Sequence, residues 1–142
     1  MNDIFTTVIG NAVTDVSLRT TTTGVSVASF RIASNPRRFD KATNSWIEQE
    51  TNFLTITAWS QLAENVALSV HKGQSLVVSG KLKVRQWQDG EKNGTSVEID
   101  AVSIGHDLNR GTSEFTKIKR VSENFDQDPW VNEVAETGIN AA

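Results

Sequence analysis

Five extended runs, one amphipathic run lodged between the third and the fourth, and a glycine inside the fourth at position 80 predict an all-β chain. That order is the signature of an OB-fold, a five-stranded Greek-key barrel with one helix between strands 3 and 4.

The first run, residues 3–9 (DIFTTVI), is β-branched and aromatic and meets a turn signal at Gly10-Asn11. Residues 14–20 are a weaker candidate that continues the first strand after a bend, and Thr21-Thr22-Thr23-Gly24 reads as a turn. Strand side chains alternate faces. In the second strand, residues 25–34 (VSVASFRIAS), Ala28, Phe30 and Ile32 therefore share one face, and Val27, Ser29 and Arg31 share the other. Residues 35–49 open on Asn-Pro without a clean period and read as a long loop or extended hairpin.

The third strand, residues 51–59 (TNFLTITAW), sets Leu54, Ile56 and Ala58 against Phe53, Thr55, Thr57 and Trp59. If the aliphatic side enters the core, Phe53 and Trp59 are exposed; periodicity also permits the reverse. Ser60 offers an N-cap hydroxyl, and residues 61–72 carry Leu62, Val66 and Val70 at fourfold spacing beside Ala63 and Ala67, an amphipathic helix. His71 and Lys72 suit its negative end, and Gly73 suits a left-handed stop. The fourth strand is residues 74–87, with Gly80 marking a bulge or bend. A hairpin turn over residues 89–94, longer than two residues, leads to the last strand, residues 95–104. There the apolar parity changes from Val97, Ile99 and Ala101 to Val102 and Ile104, which predicts an irregularity near Ala101.

The whole chain has 142 residues, 37% hydrophobic and 22% charged, the size of one domain with a tail. Residues 1–110 are expected to form the barrel domain and residues 111–142 a flexible acidic tail. The formal charge of −3 divides unevenly. Residues 1–110 hold 11 Lys and Arg against 11 Asp and Glu, and residues 111–142 hold 3 against 6, so the tail carries the entire excess. From Val121 on there is no Lys or Arg, while Glu123, Asp126, Asp128, Glu133 and Glu136 accumulate, a composition of disordered segments. Residues 114–121 allow a turn of helix. The run Asp126-Gln127-Asp128-Pro129-Trp130-Val131 reads either as a docking segment or competitor for a basic face, or as a spacer with a stray Trp.

The chain shows no run of 18 apolar residues and no secretory leader pattern, so no membrane association is expected and the cytoplasm is the expected location. It has no cysteine, and its two histidines, His71 and His106, match no metal-binding spacing. With no glycine-rich phosphate loop either, no cofactor and no enzymatic activity are expected.

The fourth strand carries the most informative surface pattern. Lys81, Lys83, Arg85 and Trp87 alternate onto one face, while Leu82 and Val84 turn toward a core. Cations followed by an indole suit a polymer of phosphates and bases. The competing reading is a Lys-rich strand kept for solubility and edge protection. Arg37, Arg38, Phe39, Lys41 and Trp46 in the long loop add cations and rings beside this strand. Trp46 either pins the loop to the body or touches a ligand. Phosphates are expected along Arg31, Arg37, Arg38, Lys81, Lys83 and Arg85, with bases stacked on Phe53, Trp59 and Trp87.

The segments GNAVTDVSLRTTTTGVSVASFRIAS and NFLTITAWSQLAENVALSVHKGQSLVVSGKLKVRQWQDGEKNG resemble the bacterial single-stranded DNA-binding protein family over roughly residues 1–108. The PRRFDKATNSW segment is most similar to actinobacterial members. The resemblance implies an OB-fold that assembles as a homotetramer and binds single-stranded DNA without sequence preference during replication, recombination and repair. Its stacking aromatics fall on Phe53, Trp59 and Trp87. A fourth stacking position falls on Arg38, where Phe39 substitutes. The family's acidic tip closed by Pro-Phe, which recruits replication and repair proteins, has no counterpart in Thr137-Gly138-Ile139-Asn140-Ala141-Ala142. Recruitment through such a tip is therefore not expected, and a paralogue or a phage- or plasmid-borne form fits this departure. The alternative function is an OB-fold adaptor that works mainly through protein contacts, resembling a primosomal replication protein.

Overall fold

The computed structural model describes residues 2–119. In chain order it forms β1 (Phe5–Ala12), β2 (Ser17–Thr20), β3 (Ser26–Ser34), β4 (Arg37–Asp40), β5 (Ser45–Glu48), β6 (Asn52–Trp59), α1 (Ser60–Ser69), β7 (Ser75–Asp89) and β8 (Lys92–His106). β1, β7, β8, β6 and β3 hydrogen-bond in that order, and β1 returns to β3 through Asn11 opposite Ala33 and Ala12 opposite Ile32. These five strands thus close on themselves, with α1 between the third and fourth of them, as the OB-fold requires. All the barrel pairings are antiparallel except β6 with β8, which is parallel.

The core follows from alternation. Phe30 and Ile32 of β3, Leu54, Ile56 and Ala58 of β6, Leu76 and Val78 of β7 and Ile99 of β8 are all buried. The helix adds Ala63 and Val66, and Val70 just beyond it closes the same cluster. The aliphatic face of β6 is therefore the inner one. β8 carries the expected irregularity: Gly80 faces Ala101 while Ser79 faces Ser103, so Val102 has no partner and bulges outward. The extra residue returns Ile104 to the barrel, where it packs against the core.

Several elements differ from expectation. β1 does not stop at Gly10-Asn11 but continues to Ala12, because this is where it passes from β7 to β3. A side chain at Gly10 would put its Cβ 2.5 Å from the carbonyl oxygen of Ala33, so the glycine allows a close crossing and not a turn. Residues 17–20 pair with β3 and not as an extension of β1, joined by a turn in which Gly24 donates to the Thr21 carbonyl at 2.9 Å. The long loop holds an extended hairpin, β4 with β5, as a separate two-stranded sheet.

α1 has no side-chain cap, and Ser60 is its first residue and not its cap. It ends at Ser69 with Val70 extended, so His71 and Lys72 lie outside the last turn, and Gly73 (φ 94°) serves the following turn by donating to the Ala12 carbonyl at 2.8 Å. Only Gly90 and Glu91 separate the paired Asp89 and Lys92, which makes the β7–β8 connection a two-residue turn. Val84 also departs from expectation: it is exposed, because from Val84 opposite Val97 outward β7 and β8 pair only with each other, as a ribbon leaving the barrel.

His106, at the end of β8, meets the Ser69 carbonyl at 3.2 Å and Gln74 Oε1 at 2.9 Å through Nε2, and Ser113 Oγ through Nδ1. Residues 111–119 form no strand or helix, so the described part of 114–121 has no helical turn. The acidic run from Val121 and the Asp126–Trp130 segment lie outside the described residues. No described helix is long and apolar enough to cross a membrane.

Ile99 sits on the parallel seam opposite Ile56, both fully buried. Ile99→Ala is expected to lower stability by about 2–5 kcal/mol in urea denaturation, with an unchanged m-value. A loss below about 1 kcal/mol would show that the seam does not organise the core.

Candidate nucleic-acid interface

Because Leu54, Ile56 and Ala58 point inward, the other parity of β6 faces out. Phe53 is 51% exposed and Trp59 47%, one near each end of the strand and roughly 20 Å apart at the rise of a β-strand. Trp87 is 45% exposed on the β7–β8 ribbon. It stands opposite Gly94, where a Cβ would run into the indole ring, so the glycine leaves room for the ring to lie over the neighbouring backbone. All three rings occupy the outward parity of their strands.

The cations are distributed less simply. Arg31 stands opposite Thr55 on the outer side of β3, with its guanidinium carbon 5.6 Å from the centre of the Phe53 ring. This cation–π contact orients the arginine beside one of the exposed rings. On β7, Lys81, Lys83 and Arg85 are exposed as the alternation requires, yet each meets a carboxylate. Lys81 Nζ lies 3.5 Å from Asp3, Lys83 Nζ 2.5 Å from Asp100, and Arg85 Nη2 3.4 Å from Glu98. The four outer cations therefore face three acids, and the nominal charge of this side is +1 instead of +4.

β4 and β5 carry Arg37, Arg38 and Phe39. Alternation separates Arg38 from Arg37 and Phe39. Phe39 stands opposite Trp46, and their rings meet edge to face with centroids 5.4 Å apart and planes at 63°. Trp46 is 66% exposed, so it packs on Phe39 and does not pin the hairpin to the barrel. Among the described residues, Arg37, Arg38 and Lys41 join no ion pair. The hairpin thus offers rings and cations that join no ion pair, although Glu48 stands opposite Arg37, whereas each cation of the β7 row is paired.

Reading residues for cations and rings overlooks Asp3, Glu98 and Asp100. The signal was present: with Val97, Ile99 and Ala101 turned inward, Glu98 and Asp100 must turn outward, beside the β7 cations. Glu98 stands opposite both Lys83 on β7 and Thr55 on β6, and Asp100 opposite both Lys81 and Thr57. Among the described residues no group of three or more His, Cys, Asp or Glu side chains is arranged to hold a metal ion.

A family model described as "Single-strand binding protein family" matches residues 1–107. The chain is 46% identical over 112 residues to "Single-stranded DNA-binding protein 2" of Streptomyces coelicolor, covering 78% of this chain and 56% of that relative. It is 42% identical over 121 residues to "Single-stranded DNA-binding protein" of Corynebacterium glutamicum, covering 84% of this chain and 54% of that one. The chain thus spans about half the length of these curated relatives. Among solved structures it is similar to a small single-stranded DNA-binding protein from Streptomyces coelicolor, with a TM-score of 0.72 and 40% identity over 78% of this chain and 100% of that one.

The β7 ion pairs are exposed enough for water to screen them. Lys83→Ala is expected to change stability by no more than about 0.2–1 kcal/mol in chemical denaturation. A loss of several kcal/mol would mean that the ladder of charges is a structural requirement of the ribbon.

Proposed function

The chain belongs to the single-strand binding protein family, and from that premise we propose that it binds single-stranded DNA without sequence preference, protecting and organising it during replication, recombination and repair. The observation that carries this reading is the outward placement of Phe53, Trp59 and Trp87 on the side of the barrel that also holds Arg31, Lys81, Lys83 and Arg85. Every base has a π-face, so stacking on exposed rings holds a strand without reading its sequence. A duplex keeps its bases stacked on one another and offers the rings no free base face, which gives unpaired DNA the advantage.

In this reading, bases stack on Phe53, Trp59 and Trp87, and phosphates lie against Arg31, the β7 cations and the β4–β5 hairpin with Arg37 and Arg38. Phe39 lies on the other face of β4 from Arg38 and packs on Trp46, so in this reading it offers a ring of its own and does not fill the stacking position that falls on Arg38. Ile4, Phe5 and Ile9, exposed along β1 and just before it, support self-association, and the family membership supports a homotetramer. The protein acts by binding and not by catalysis. An adaptor that works mainly through protein contacts would leave the rings idle, and tryptophan quenching by DNA separates the two readings.

Trp87→Ala is expected to weaken binding to poly-dT and to mixed-sequence oligonucleotides alike, by about 1–3 kcal/mol, read by fluorescence titration. Binding by the unaltered chain should also fall linearly with salt on logarithmic axes, at about 0.7 per phosphate neutralised. Unchanged affinity for poly-dT would remove Trp87 from the site, and a complex insensitive to salt would contradict the phosphate contacts.

A further inference from the structure

We infer that Glu98 and Asp100 act as built-in competitors of DNA phosphate, holding the β7 cations in the unbound protein and so setting the affinity and the salt dependence of binding. The inference rests on the single-strand binding reading above. It starts from an arrangement that cations alone would not create: every basic side chain in the row Lys81, Lys83 and Arg85 is already matched to a carboxylate. Two of these carboxylates, Glu98 and Asp100, belong to the barrel strand that lies between β7 and β6. Their side chains are 21% and 29% exposed, against 68% and 54% for Arg85 and Lys83, so the acids sit low on the sheet and the cations reach over them.

This geometry gives the acids two effects on an approaching strand. A phosphate that takes Lys83 or Arg85 must share the cation with a carboxylate or displace it. A phosphate that stays also feels the negative charge beneath. In water that repulsion is worth about two- to threefold in affinity per acid, and added salt screens it. A cation still held by a carboxylate neutralises less of a phosphate's charge, so fewer of the counterions condensed on the DNA are released when it binds. The acids should therefore lower both the affinity and the steepness of its salt dependence, while the contribution of the rings is untouched. A strand would then be held loosely along β7, where a phosphate can release while the rings keep the strand on the protein.

The test is a fluorescence titration of the full chain with poly-dT at several salt concentrations, comparing it with the double variant Glu98→Gln and Asp100→Asn. These near-isosteric changes keep hydrogen-bonding capacity at the surface, and circular dichroism checks that the fold is kept. The double variant is expected to bind about five- to tenfold more tightly at low salt, with a log–log slope steeper by about 1.4 for the two cations released. Asp100→Asn alone should account for part of this gain, whereas Glu64→Gln, which removes the same charge from the exposed side of α1, should give none. Equal affinity and slope in the double variant, with the unaltered chain still quenched by DNA, would overturn the competitor role and leave the binding reading standing. A gain from Glu64→Gln equal to that from Asp100→Asn would also overturn it, since net charge alone would then be responsible. Absence of binding by the unaltered chain would overturn both.

Discussion

The parity of β6 is the constraint on which the rest of the structure depends. This strand pairs with β3 on one side and β8 on the other, and its central Ile56 lies between Phe30 and Ile99 in register, all three buried. A slip of one residue would bury Thr55 and Thr57 and expose Ile56, so the register is strongly specified. Once Leu54, Ile56 and Ala58 are inside, Phe53 and Trp59 have nowhere to go but out. The same lock acts on β8 through Ile99 and decides where Glu98 and Asp100 point. Core packing and the surface proposed to meet DNA are thus two sides of one alternation.

The outer side is then a balance of two chemistries. Its rings are large, half-exposed and separated along and across the sheet, so they offer contact area that does not depend on ionic strength. Its charges nearly cancel within the protein itself. The proposed interface therefore resembles a set of stacking posts joined by a nearly neutral sheet, with the β4–β5 hairpin adding cations that join no ion pair among the described residues. Such a division suits a protein that must hold any sequence and also let it go, since neither a deep pocket nor a directional hydrogen bond to a base edge is required. It also accounts for a domain with equal numbers of acids and bases over residues 1–110: what matters locally is which cations are matched and which are not.

Most of the barrel was legible because its strands alternate cleanly and its helix sits in an informative place. Leu62, Val66 and Val70 marked the packing side of α1, and the parity change at Ala101 marked the bulge at Val102. Less was legible where a residue type has two uses. Gly10-Asn11 has the composition of a turn, yet Gly10 is needed because β1 passes close to Ala33, a contact visible only in three dimensions. Ser60 has the side chain of a cap, but the helix starts on it. Val84 has the parity of a core residue, but the barrel has ended by that point in β7. For the site, alternation could show that Lys81, Lys83 and Arg85 share a face. Their neutralisation needed the register of β7 against β8, which places acids from another part of the chain beside them.

The central claim is that Phe53, Trp59 and Trp87 face a bound strand together. It is tested most directly by photocrosslinking the full chain to a single-stranded oligonucleotide carrying 5-iodouracil and mapping the adducts by peptide mass spectrometry. The account predicts adducts on these three residues, with unlabelled single-stranded DNA competing far better than duplex. Adducts confined to the α1 side of the barrel around Leu68, with the three rings unmodified, would contradict it.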